Sequence, residues 1–150
     1  MPIAAFPHHY AVTLANDQLT ADARAAIRMG APPQFNGSED VWSPEHLLVA
    51  AVLSCVKTTF DAYARREGIV VHGWRGNATG VLAKARPGPV FTSIDIEVEI
   101  TTDSGAEARA AEVLAAAERD CIISRALSAP VHVTAKVTPS PALAAVTSMQ

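Results

Sequence analysis

Cys55 lies in the middle of an apolar stretch, Leu47-Leu48-Val49-Ala50-Ala51-Val52-Leu53-Ser54-Cys55-Val56, and Cys121 sits between two helical stretches, in Asp120-Cys121-Ile122-Ile123-Ser124-Arg125. They are the only 2 cysteines in the chain. A thiol attacks as its thiolate, so its surroundings decide whether it reacts. Two cysteines that meet in space can also close a disulfide once one of them has been oxidised to the sulfenic acid. Redox or peroxidatic chemistry is therefore the sharp expectation. The bland one is that both are small buried hydrophobes, since free cysteine is among the most buried residue types.

The elements that would position these thiols follow from local signals. Ser43-Pro44-Glu45 opens a helix: serine caps, proline suits the first helical position, and a glutamate favours the positive end of the helix dipole. The helix is expected to run to Glu67, with Gly68 closing it. Between Leu47 and Val56 it lacks a polar face, so it needs a sheet around it or a helix from another chain. Residues 8–14 read as a strand and residues 19–29 as a second strand or, given the alanines, a helix. Residues 30–41 form a loop rich in Pro, Gly and Asn. Two long strands follow at 69–82 and 90–101. In the second, Ile94, Ile96, Val98 and Ile100 alternate with Asp95, Glu97 and Glu99, which predicts one buried and one wet face. Ser104 is read as the cap of a helix over 104–118 with an apolar stripe of Ala106, Ala110, Val113, Leu114 and Ala117. A short helix at 122–127 and a last strand at 131–137 complete the order β-β-α-β-β-α-β. This is an α+β fold with a mainly antiparallel sheet around a central buried helix. Residues 1–138 are taken as one domain and 139–150 as a Pro- and Ala-rich tail.

Composition narrows the function classes. At 150 residues and 49% hydrophobic content the chain can bury a proper core. A net charge of −3 with scattered Lys and Arg gives no nucleic-acid footprint. No run reads as long enough to cross a membrane, and the first residues lack the charged and apolar regions of a signal peptide, which together predict a cytoplasmic protein. His8, His9, His46, His72 and His132 are dispersed without metal-ligand spacing, and nothing points to a bound cofactor. His46 is expected to satisfy a helix-start or core hydrogen bond, with a place at a dimer interface near Glu45 as the alternative. Trp42, Phe60, Tyr63 and Phe91 are expected in the core or a pocket wall. The small residues Ala50, Ala51 and Ser54 would suit close contact between two copies of the helix in a homodimer.

With these residues in hand, the chain resembles the OsmC/Ohr family, the osmotically induced and organic-hydroperoxide-resistance proteins. The likeness runs from about His8 to Val137. It rests most on Ser43-Pro44-Glu45-His46-Leu47-Leu48 followed by Ser54-Cys55, and on Cys121 followed by Ser124 and Ala126-Leu127. The resemblance implies an intertwined homodimer and a thiol-dependent peroxidase acting on organic hydroperoxides. It implies Cys55 as the peroxidatic thiol, Cys121 as the resolving thiol, Glu45 as the active-site glutamate, and an external dithiol as reductant. The family pairs its glutamate with an arginine from the first-strand turn or from the loop before the Pro-Glu motif. Here those segments, Ala15-Asn16-Asp17-Gln18-Leu19 and Pro33 to Asp40, hold none. Arg28 and Arg24 are the first candidates to replace it, with Arg125 another.

The residues themselves add three expectations. Cys121 stands at the start of a short helix, where free amides lower a thiol's pKa. Cys55 is mid-helix, where burial and a nearby Glu45 would raise it. Glu45 lies roughly 15 Å before Cys55 along a straight helix, and Lys57 points to another face. If the cation is absent, the alternative is a redox sensor or a protein that binds a small hydrophobic ligand, with little peroxidase activity.

Overall fold

A computed structural model describes residues 5–141. Residues 142–150, most of the predicted tail, lie outside the described residues. The chain divides into two compact units, residues 1–47 and 48–150.

In the first unit, strands β1 (Thr13–Ala15), β2 (Gln18–Thr20) and β3 (Ile27–Arg28) form an antiparallel meander. The strand expected over 19–29 is thus broken. Ala23 takes a left-handed backbone at φ 56, which no continuous strand or helix accommodates. Asn16, also left-handed at φ 54, makes the predicted turn between β1 and β2. A 3-10 turn at Pro33–Phe35 ends in left-handed Asn36, and the loop closes where Gly30 N–H donates to the Trp42 carbonyl at 2.9 Å.

Helix α1 (Pro44–Arg66) begins in this unit and continues through the second. Its ends are as the local residues dictate. Buried Ser43 accepts from the His46 amide at 3.2 Å, and its hydroxyl meets His46 Nδ1 at 2.8 Å, the helix-start role expected of His46. At the other end Gly68, at φ 69, donates to the Arg65 carbonyl and Ile69 donates to that of Ala64. That pair of bonds is a Schellman closure, which needs the left-handed conformation glycine adopts without strain.

The second unit is built on the sheet β4 (Val71–Ala83), β5 (Val90–Thr102), β6 (Val131–Pro139), in that order. β4 and β5 are antiparallel, with Trp74 opposite Ile100 and Ala78 opposite Ile96. β5 and β6 are parallel. A parallel return needs a crossover, and α2 (Glu107–Asp120) with α3 (Ile122–Arg125) supplies it. The alternation in β5 holds: Ile94, Ile96, Val98 and Ile100 are buried and Asp95, Glu97 and Glu99 exposed. Each such isoleucine contributes about 1.5–3 kcal/mol relative to exposure. Ala110, Val113, Leu114 and Ala117 of α2 bury the predicted stripe, and α2 packs on β6 and β5. α2 starts later than Ser104, because residues 103–105 make a tight turn with Gly105 at φ 89, whose N–H donates to the Glu107 carboxylate at 2.7 Å.

The expectation for α1 needs two corrections. It is buried along one stripe, Val52, Val56, Phe60 and Ala64, and not all round; Leu48, Val49, Ala50, Ala51 and Leu53 are half-buried. Its 23 residues are also long and apolar enough to cross a membrane by length and composition alone, a test that core helices of soluble proteins pass too. Two glycines of β4 let side chains of α1 approach the sheet. A Cβ on Gly76 would lie 2.5 Å from the Trp74 ring and 2.9 Å from Leu53 Cδ1, and one on Gly80 would lie 2.7 Å from both Phe91 and Val49. Phe60 and Phe91 pack as expected, whereas Trp42 is 49% exposed.

Candidate functional site: a paired thiol at the helix junction

Cys121 closes one helix and opens the next. Its amide donates to the Glu118 carbonyl at 3.3 Å, ending α2. It then turns extended (φ −62, ψ 111), and its carbonyl accepts from the Arg125 amide at 3.1 Å, starting α3. Its sulfur does what a serine or aspartate oxygen does at other helix starts: Sγ accepts from the Ser124 amide at 3.4 Å. The residue is fully buried in the apolar cluster of the second unit.

Cys55 reaches this junction from α1. It is half-buried and packs against the same cluster, and the Cys121 thiol and the amides of Ile122 and Ile123 are near enough to shift its acidity. Both thiols are free. The two cysteines, distant in sequence, are thus brought together.

Their environments push the two thiols apart in acidity. Burial raises the pKa of Cys55, and the neighbouring Cys121 raises it further, against the pull of the Ile123 and Ile122 amides. Burial also acts to raise Cys121. There, however, the Ser124 hydroxyl and amide, the Cys55 thiol and the Ile123 amide outweigh it, and the pKa falls below the ordinary thiol value. Of the two, Cys121 is therefore the more acidic thiol and Cys55 the less acidic one. Both directions match the sequence reading. At Cys55 burial is the leading cause, as expected, and the neighbouring group that raises it further is Cys121 where Glu45 was expected.

The other predicted site residues have settings of their own. Glu45 is in the first turn of α1, and its Oε2 is buried without a hydrogen-bond partner among the described residues. Arg28 is engaged by two carboxylates, Asp17 at 3.1 Å and Asp40 at 3.1 Å. Arg24 donates to the Asp22 carbonyl at 2.6 Å. Arg125 ends α3, and Arg125, Ser124 and Glu118 help line a cavity of about 320 Å³. Lys57 faces elsewhere, paired with Asp61 and lying 5.4 Å over the Trp74 ring.

Sequence reasoning did not identify the roles of two residues near the thiols. Tyr63 donates to Asp120, the residue before Cys121, at 2.7 Å. Ser124 supplies the amide that caps Cys121, and its hydroxyl oxygen is buried without a partner of good hydrogen-bond geometry among the described residues. The spacing Cys-x-x-Ser at a helix start was the available signal for the second, since a capping atom meets the amide three residues on.

The model of the OsmC-like protein family matches residues 37–136, which hold α1, the sheet up to Lys136 and both cysteines. The chain belongs to the OsmC-like family. Solved structures of the same fold agree. An OsmC-like protein of unknown function from Vibrio cholerae superposes with a TM-score of 0.75 at 19% identity, covering 88% of this chain and 100% of that one. An OsmC-like protein from Mycoplasma pneumoniae gives 0.74 at 17%, covering 89% and 99%. An organic hydroperoxide resistance protein from Elizabethkingia anophelis gives 0.68 at 15%, covering 91% and 99%. No curated protein sequence matches the chain. At these identities the solved structures establish the OsmC-like fold, an α+β architecture, and not the activity.

Proposed function

We propose that this OsmC-like protein is a cysteine-based peroxidase that reduces organic hydroperoxides, with Cys55 as the attacking thiol and Cys121 as the resolving one. The observation that carries this reading is that the two cysteines meet at one apolar cluster, Cys55 half-buried and Cys121 buried, with Cys121 the more acidic of the two. A hydroperoxide can approach Cys55, whereas Cys121 has no exposed surface.

The pair can run the chemistry with few other groups. The Cys55 proton passes to Cys121, and the Cys55 sulfur attacks the distal peroxide oxygen. The O–O bond breaks, Cys55 becomes a sulfenic acid, and the alkoxide takes the proton from Cys121 and leaves as the alcohol. Cys121, a thiolate again, attacks the sulfenic sulfur and expels hydroxide, which solvent protonates to water. One hydroperoxide and two thiols give one alcohol, one water and one disulfide, and an external dithiol restores the thiols. On this reading Cys121 is proton relay as well as resolving thiol, which lessens the demand for a cation. Glu45 keeps in this reading the role of active-site glutamate that the family resemblance implies, and its Oε2 is buried without a hydrogen-bond partner among the described residues. Arg28 and Arg24 already have partners of their own, Arg28 in Asp17 and Asp40 and Arg24 in the Asp22 carbonyl.

The half-buried apolar residues of α1 favour a homodimer, since a second copy would cover what one chain leaves open. Light scattering at micromolar concentration is expected to give twice the chain mass of 15.7 kDa. Free thiols and a dithiol reductant suit a cytoplasmic setting. The activity is tested by steady-state turnover of cumene hydroperoxide with a dithiol. Cys55→Ser should abolish turnover, and Cys121→Ser should leave a sulfenic acid that dimedone traps. A wild-type protein without turnover would favour a redox sensor or a hydrophobic-ligand binder.

A further inference from the structure

Ser124 presents its amide to the Cys121 sulfur, at 3.4 Å, and carries a buried hydroxyl without a hydrogen-bond partner among the described residues. That hydroxyl is near enough to Cys121 to lower its pKa. A buried hydroxyl without a partner is costly. A thiolate at Cys121 would relieve that cost by accepting its hydrogen. The neutral thiol is a poor acceptor and would not.

We propose that Ser124 is a positioning residue whose amide and hydroxyl together hold the Cys121 sulfur as thiolate, and that Cys121 is therefore the sulfur expelled when the Cys55–Cys121 disulfide is reduced. The second half rests on the peroxidase cycle proposed above; the first does not. Exposure points the same way. Cys121 is 0% exposed, so an incoming reductant meets Cys55.

A reductant thiolate attacks Cys55 Sγ, a new S–S bond joins it to Cys55, and the old bond breaks with its electron pair left on Cys121. Leaving is faster for the more acidic thiol, and the Ser124 donors stabilise the departing charge. The reductant's second thiol then displaces Cys55. The dithiol ends as a disulfide, having given two electrons, and its two protons are available to the protein thiols.

The titratable and charged groups on the elements that meet at Cys121 are Cys55 and Tyr63 on α1, Glu118, Arg119 and Asp120 on the last turn of α2, and Arg125 on α3. Asp120 is turned to Tyr63. The sheet face toward α2 presents Ile94, Ile96, Val98 and Ile100 and no charge. Cys55 is the neighbour that must be removed to isolate the effect.

The test reads thiolate absorbance against pH in the reduced protein, so it needs no hydroperoxide. In a Cys55→Ser background, Ser124→Ala is expected to lower the acidity of Cys121 about tenfold, and Ser124→Thr, which keeps the hydroxyl, to restore most of it. In a Cys121→Ser background, Ser124→Ala should move nothing. An unchanged Cys121 midpoint in a folded Ser124→Ala protein, or a Thr variant no better than Ala, would overturn the proposal. For the leaving sulfur, protein oxidised with diamide is mixed with one equivalent of 2-mercaptoethanol and quenched with iodoacetamide. Peptide mapping should find the mixed disulfide on Cys55 and the alkyl group on Cys121; the reverse would overturn that half. A protein with no hydroperoxide turnover that behaves this way in both arms refutes the peroxidase reading and leaves the role of Ser124 standing.

Discussion

The phenolic hydroxyl of Tyr63 donates to the Asp120 carboxylate at 2.7 Å, which ties α1 to the residue immediately before Cys121. Two residues of α1 thus meet the α2–α3 junction, Cys55 by packing against the cluster that buries Cys121 and Tyr63 by a hydrogen bond. The second tie restrains the approach of the two thiols without taking part in their chemistry.

That tie has a pH signature. The hydrogen bond to Asp120 raises the pKa of Tyr63 above its ordinary value. A group whose pKa is raised on folding stabilises the fold fully below its unfolded pKa, and loses that contribution as pH climbs through the folded one. Wild type should therefore melt above Tyr63→Phe at neutral pH. The gap should close as pH rises past about 10, the unperturbed tyrosine value. Thermal melts across that range check this, and a gap that stays constant would count against it.

The N-cap of α1 gives a second expectation. Ser43 is fully buried, caps the His46 amide and meets the His46 ring. Ser43→Ala should cost about 1 kcal/mol, read as a lower urea midpoint with an unchanged slope.

Much of this scaffold was legible in the sequence, for a physical reason. Ser43, Pro44 and Gly68 act through bonds a few residues long, and the alternation of β5 reports one buried face directly. Both bounds of α1 and the buried face of β5 follow from them. The cysteine settings were legible in the same way: mid-helix for Cys55, helix start for Cys121. What could not be read depends on distant partners. The parallel pairing of β6 with β5 is decided by the α2 crossover, which has no local period. The break at Ala23 needs a left-handed alanine, which propensity argues against. The engagement of Arg28 by Asp17 and Asp40 joins three separate segments. The half-open faces of α1 were concealed because an all-apolar run looks the same whether its own chain or another covers it.

Close packing at the glycines of β4 gives a third expectation. Gly80→Ala would set a Cβ 2.7 Å from Phe91 and Val49, and Gly76→Ala one 2.5 Å from the Trp74 ring. Each should destabilise by roughly 1–3 kcal/mol through overpacking. Chemical denaturation measures it, and a neutral result at both would mean that α1 and the ring move away freely.

The candidate cations give a fourth. Arg28 is already held by two carboxylates and has little charge to lend. Arg28→Ala is expected to leave the pH profile of Cys55 alkylation unchanged. A rise in the apparent thiol pKa with a loss of turnover of about tenfold, the equivalent of roughly 1.4 kcal/mol, would make it the missing partner instead.

The central claim is that Cys55 and Cys121 form one redox unit, and one measurement addresses it most directly. Reduced protein is treated with a single equivalent of cumene hydroperoxide, quenched in acid and analysed by mass spectrometry with thiol mapping. The account predicts loss of both free thiols, a mass lower by two hydrogens, and a peptide linked through Cys55 and Cys121 within one chain. Both thiols intact after peroxide, or oxidation of Cys55 that stops at the sulfenic acid while Cys121 stays free, would contradict it.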